Sequence, residues 1–157
     1  MGLFDRFRRV VRSNINEMIT KAENPEKMLN QLIIDMNEQL IESKKSVASA
    51  IADEKRLQRE LTTQRNNTEL WDQRAIDAVS AGKDELAKKA LLRKQEHVEY
   101  VTNYQTQYDA QHSSVEQLKD SLRQLQQKID EASRKKNLLI ARAKRAEAQQ
   151  RIQTTIG

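Results

Sequence analysis

The chain has 157 residues, of which 37% are hydrophobic, 32% charged and only 4% aromatic. Few aromatics beside so many charges exclude a large globular core and fit long helices, and the lack of cysteine excludes disulfides and cysteine-ligated metals. A net charge of +5 favours an anionic partner, either a lipid surface or nucleic acid.

Taken from the N-terminus, residues 2 to about 20 read as one short amphipathic helix within an N-terminal segment of residues 1 to 22. Wound at 3.6 residues per turn, Leu3, Phe4, Phe7, Val10, Val11, Ile15 and Met18 gather on one broad face. Arg6, Arg9 and Arg12 lie towards the other face, and Arg8 sits at the border. An apolar face with aromatic anchors and flanking arginines suits a helix lying in a membrane interface, and docking on protein is the competing reading. The next stretch, Ala22-Glu23-Asn24-Pro25-Glu26, reads as a joint. Asn24 is a good N-cap, Pro25 fits the first helical position, and the residue before a proline avoids helical dihedrals.

From residue 25 to 80 the chain reads as the first arm of a coiled-coil hairpin. Inward positions step by four and three through Leu29, Ile33, Met36, Leu40, Ser43, Val47, Ala50, Glu54, Leu57, Leu61, Gln64, Thr68, Trp71, Ala75 and Ala78. Residues 81 to 84 form the tip. Gly82 supplies the left-handed conformation that commonly ends a helix, and Asp84 is expected to cap the next. The second arm, residues 84 to 152, repeats the pattern through Ala87, Ala90, Lys94, His97, Val101, Tyr104, Tyr108, Gln111, Val115, Leu118, Leu122, Leu125, Ile129, Ala132 and Lys136. Folding at Gly82–Lys83 brings Leu40 to Leu125, Met36 to Ile129, Leu57 to Tyr108 and Leu61 to Tyr104. The same register sets Glu54 against Gln111, Thr68 against His97 and Trp71 against Lys94. Ala75 meets Ala90 and Ala78 meets Ala87, so the backbones can approach closely at the tip. The fold class is all-α, an antiparallel coiled-coil hairpin of residues 25 to 157 preceded by the short amphipathic helix.

Apolar residues remain beyond the seam: Leu32, Ile34, Ile41, Ile51, Leu70 and Ile76. One partner helix cannot cover them all, which predicts further packing, most simply self-association. The second arm also outruns the first, carrying Leu139, Ile140, Ala143 and Ala146 among Arg134, Lys135, Lys136, Arg142, Lys144, Arg145 and Arg151. The self-assembly residues are therefore expected to include Leu32, Ile34, Ile41, Arg134, Leu139, Ile140 and Arg142.

No catalytic constellation, metal ligand set or cofactor motif stands out, so the reading is of a protein that is not an enzyme. His97 and His112 are isolated, and Ala81-Gly82-Lys83-Asp84 lacks the first glycine and the strand of a phosphate-binding loop. Acidic residues interleave with the basic ones and leave no basic stripe, which argues against nucleic acid. No run approaches the ~18 apolar residues of a membrane-spanning helix. The first residues lack the apolar core and cleavage site of a secretory signal, giving a cytoplasmic location as the default expectation.

Three stretches carry a resemblance to a known family. They are Met1-Gly2-Leu3-Phe4-Asp5-Arg6-Phe7, the joint Lys21-Ala22-Glu23-Asn24-Pro25-Glu26-Lys27-Met28-Leu29, and the tip with Trp71, Ala75, Gly82, Leu86, Ala87, Ala90 and Leu91. Lys135-Lys136-Asn137-Leu138-Leu139-Ile140-Ala141-Arg142-Ala143 continues the pattern. The chain resembles the phage-shock protein A / vesicle-inducing protein in plastids family, within the ESCRT-III superfamily of membrane-remodelling proteins. The resemblance implies peripheral binding to anionic membranes through residues 2 to 20, homo-oligomeric rings, rods or spirals, and maintenance of the inner or thylakoid membrane under stress. Family members usually carry further helices after the hairpin, so a chain ending at Gly157 is expected to give smaller or membrane-dependent assemblies. Some enterobacterial members inhibit a transcriptional activator, which keeps a coiled-coil regulator of a partner protein as the alternative reading.

Overall fold

A computed structural model describes Arg9 and residues 12–156 of the chain. Among the described residues three helices have defined bounds, in order α1 (Ile15–Lys21), α2 (Pro25–Ser80) and α3 (Asp84–Ile156). Among the described residues there is no strand. The second arm runs to Ile156, four residues past the predicted end. No proline or glycine lies inside α2 or α3, so nothing interrupts either backbone ladder.

The expected single N-terminal helix is broken. Arg9 and Arg12 are helical, but Ser13 and Asn14 are not, and a separate helix starts at Ile15. Asn14 takes an extended conformation (φ −93°, ψ 106°), and its side-chain oxygen accepts from the N–H groups of Asn16 (3.1 Å) and Glu17 (3.4 Å). A side chain that captures those donors competes with continued helix and starts a new one. The joint is as expected. Asn24 Oδ1 accepts from Lys27 N–H at 3.1 Å, and Pro25 is the first residue of α2.

α2 ends in a Schellman arrangement. Gly82 has φ 71°, Lys83 N–H donates to Ala78 O (2.8 Å), and Gly82 N–H donates to Val79 O (3.0 Å). Asp84 does not cap α3. Lys83 holds the cap position, its carbonyl accepting from Ala87 N–H at 3.0 Å, and Asp84 and Glu85 fill the first turn. There their charge complements the helix dipole.

The chain divides into two compact units. The terminal unit comprises Met1–Ser46 with Lys119–Gly157, and the turn unit comprises Val47–Leu118. In the terminal unit, Leu29, Met36, Leu40, Leu125, Ile129 and Ala132 form one buried cluster that also includes Ile15 of α1. In the turn unit the buried residues include Val47, Leu57, Leu61, Val115 and the alanines 75, 78, 87 and 90. Every apolar seam position named from the sequence is buried or half-buried. Three cross-helix bonds keep the predicted register to within a residue, Lys136 to Asn30, Lys94 to Asp72 and His112 to Glu54, while others reach about one turn along the facing helix, as Gln111 to Ala50 and His97 to Gln64 do.

Candidate membrane and assembly surfaces

The predicted membrane residues fall into two groups. Leu3, Phe4, Arg6, Phe7, Arg8 and Val11 lie outside the described residues. Arg9 and Arg12 are exposed. Ile15 is 1% exposed and packed into the core cluster, and Met18 is half-buried. Ile15 therefore faces protein in this fold rather than standing free on an apolar stripe. Ile19, absent from the predicted set, packs partly buried against the same cluster. Lys128 of α3 ties the segment down, its Nζ donating to Ser13 O at 2.9 Å while lying 3.6 Å from the Glu131 carboxylate. The sequence held a signal for this break. Asn14 followed three residues later by Glu17 has the spacing of a helix start, but the apolar periodicity through Val11, Ile15 and Met18 ran across it.

The predicted assembly residues separate similarly. Leu32 and Leu139 are not left over: both pack partly buried against the cluster that contains Ile15. That cluster draws its side chains from α1, α2 and α3 of the same chain. Ile140 is half-buried and lines a groove with Asn24, Glu26, Lys27, Asn30 and Lys136. Ile34 (44%) and Ile41 (56%) stay exposed on α2, and Arg134 and Arg142 are exposed on α3. From Ala141 to Ile156 every residue is exposed.

At the tip Ala75, Ala87 and Ala90 are buried, as close helix approach requires. Trp71 is half-buried, and the Arg74 guanidinium lies 4.5 Å from the centre of its ring. Lys94, the expected partner of Trp71, instead places its Nζ 2.9 Å from the Asp72 carboxylate. A charge-assisted hydrogen bond outcompetes a ring face for the ammonium, and Arg74, one turn on, takes the ring. A groove beside this pair is lined by Ala78, Ala81, Lys83, Leu86, Lys89, Ala90 and Arg93 as well as Asp77.

The polar seam residues find different partners from those expected. Gln111 donates to the Ala50 carbonyl at 3.0 Å rather than meeting Glu54. A helix carbonyl points towards the C-terminus, so Ala50 O projects along α2 towards the level of Glu54. Glu54 instead accepts from His112 Nδ1–H at 3.0 Å, and the Tyr108 ring stacks on that imidazole with centroids 5.8 Å apart. His97 Nδ1–H donates to Gln64 Oε1 at 2.6 Å, while the Thr68 hydroxyl donates to the Gln64 carbonyl of its own helix. Both histidines are thus engaged in holding the two helices together. No group of acidic and histidine side chains suited to a metal ion occurs among the described residues. No described helix is long and apolar enough to cross a membrane.

Comparison with known proteins places the chain in a family. The profile of the PspA/IM30 family matches residues 2–157. The chain is 45% identical over all of its 157 residues to membrane-associated protein Vipp1 of Synechocystis, covering 59% of that protein. It is 40% identical over 148 residues to a phage shock protein A homolog of Deinococcus radiodurans, covering 94% of this chain and 66% of the relative. Against the chloroplastic membrane-associated protein VIPP1 of Arabidopsis thaliana it is 38% identical over its whole length, which is 48% of that protein. The chain therefore spans between about half and two thirds of these relatives, and it belongs to the PspA/IM30 family.

Proposed function

We propose that the chain is the hairpin portion of a peripheral, self-assembling scaffold that binds anionic membranes and stabilises or remodels them. The observation that carries this is similarity over the entire chain to relatives named as membrane-associated, one cyanobacterial and one chloroplastic. Supporting it, the first twelve residues combine Leu3, Phe4, Phe7, Val10 and Val11 with Arg6, Arg8, Arg9 and Arg12. That composition suits a segment that inserts apolar side chains while its arginines meet anionic headgroups. The surface served would be the inner face of a plasma membrane or a thylakoid membrane.

Liposome co-sedimentation tests the reading. An inserted apolar side chain contributes roughly 1.5–3 kcal/mol and a basic residue near an anionic surface about 1 kcal/mol. Phe4→Glu is therefore expected to weaken binding to anionic vesicles more than Arg6→Ala, and removal of residues 1 to 12 to abolish it. Undiminished binding after that removal would sink the assignment. Self-assembly rests on the uncovered stripe of Ile34 and Ile41 together with the exposed Arg134 and Arg142. Lateral packing of one copy against the next is a heterologous contact that propagates into polymers. Light scattering should show smaller particles for Ile34→Glu than for the unchanged chain, and equal sizes would remove this part of the reading.

A further inference from the structure

We propose that α1 remains docked on α2 and α3 when the protein sits on a membrane, so that bilayer contact ends at Ser13. Helix α1 is then a fixed strut between bilayer and hairpin, not part of the lipid anchor. The inference rests on the membrane reading above and sharpens it by dividing the N-terminal segment in two.

Local structure supplies the division. The chain leaves helical geometry at Ser13 and Asn14, and Asn14 caps α1 through its own side chain. At the other end Ala22 is extended (ψ 138°), and Asn24 caps α2. A helix bounded by its own stop at each end does not depend on what precedes Ser13.

Packing holds this piece in place. Ile15 is 1% exposed in the cluster with Leu29, Met36, Leu40, Leu125, Ile129 and Ala132, and Ile19 packs on the edge of it. The Lys128 ammonium, on a side chain 22% exposed, adds its bond to Ser13 O. Moving Ile15 and Ile19 from this core into lipid exchanges one apolar environment for another. The side chains they leave behind would meet water. A bilayer therefore offers no net gain for pulling α1 away.

Charge points the same way. The cations that an anionic surface would attract, Arg6, Arg8, Arg9 and Arg12, all precede Ser13, against the single acid Asp5. The outward face of α1 carries Glu17 and Lys21, which pair with each other at 3.6 Å and leave no excess charge. The two sides of Ser13 are built for different environments.

The test uses the full chain, which has no native cysteine. Ser13→Cys with Lys128→Cys, joined by a short flexible bis-maleimide, locks α1 in its docked position. The locked protein is expected to sediment with phosphatidylglycerol–phosphatidylcholine vesicles within twofold of the same variant left unlinked. A tenfold or greater loss on locking, with the unlinked form still binding, would overturn the inference alone. An unlinked protein that never sediments would overturn the membrane reading and this inference with it. A second measurement avoids the cross-link: a bimane label at Arg9→Cys should be quenched several-fold by brominated lipids, whereas one at Met18→Cys should not. Equal quenching at both positions would also overturn the proposal.

Discussion

The two compact units use the same heptad alternation to different ends. In the terminal unit the seam is large and apolar, and Ile15 of α1 joins Leu29 and Leu125 in its buried cluster. In the turn unit two helices meet alone. Their seam is interrupted by Gln64, His97, Glu54 and Gln111, and it narrows to alanines beside Gly82. The first arrangement adds side chains of a third helix to the apolar cluster, and the second gives seam positions to directional hydrogen bonds. A repeating pattern of inward positions thus says where a seam runs, while the residues filling it decide whether it stabilises or specifies alignment.

The sharpest way to probe this difference is to make the same truncation in each unit. Leu125→Ala opens a fully enclosed site among three helices and is expected to cost ~2–5 kcal/mol, towards the upper end of that range. Leu61→Ala lies in a two-helix seam, where surrounding side chains and water can fill the space, and should fall towards the lower end. Urea unfolding of the two variants checks the order. Equal losses would mean that α1 adds no enclosure to the terminal unit.

Overfilling the tip comes next in size. Ala90 is buried beside the alanines that let the helices converge, so Ala90→Leu should push them apart and cost about 1–3 kcal/mol. Smaller still is Gly82→Ala. A Cβ at Gly82 would meet nothing within 4 Å, so its cost is the left-handed backbone alone (φ +71°), about 1–2 kcal/mol. Gly82→Asn should lose less, because asparagine tolerates that conformation. Thermal unfolding separates the two, and a larger loss for asparagine would show that side-chain crowding, not backbone strain, governs the turn.

Much of this was legible from residue order. Gly82 and the Asn24–Pro25 pair mark the ends of α2, and the four-three steps name the seam side chains that are buried or half-buried. What periodicity does not state is which body covers an apolar face. Ile15 and Met18 read as lipid-facing because they share a stripe with Val11, yet Asn14 resets the helix and Ile15 joins Leu29 and Leu125 in one core. Leu32 and Leu139 read as uncovered for the complementary reason. The partners of the polar seam residues escaped as well, since a residue-to-residue register ignores backbone carbonyls such as that of Ala50.

The smallest expected effect on stability concerns those polar positions and is the most informative about alignment. Gln64→Leu alone removes the acceptor of the half-buried His97 Nδ1–H and should cost about 1 kcal/mol. Adding His97→Leu removes the stranded donor and makes this one layer of the seam apolar, so the double variant should return close to the starting stability. The difference then lies in register. An all-apolar seam aligns nearly as well after a slip of one heptad, whereas the Gln64–His97 bond forms in one alignment only. With Leu57→Cys as a reporter, the native register favours a disulfide to Tyr108→Cys, and a slipped one favours Val101→Cys. The Val101→Cys product should be absent in the parent background and appear with the double leucine substitution. If it stays absent, the Gln64–His97 bond is not what sets the alignment of the turn unit, and steric fit with the remaining cross-helix bonds of Gln111, His112 and Lys94 suffices.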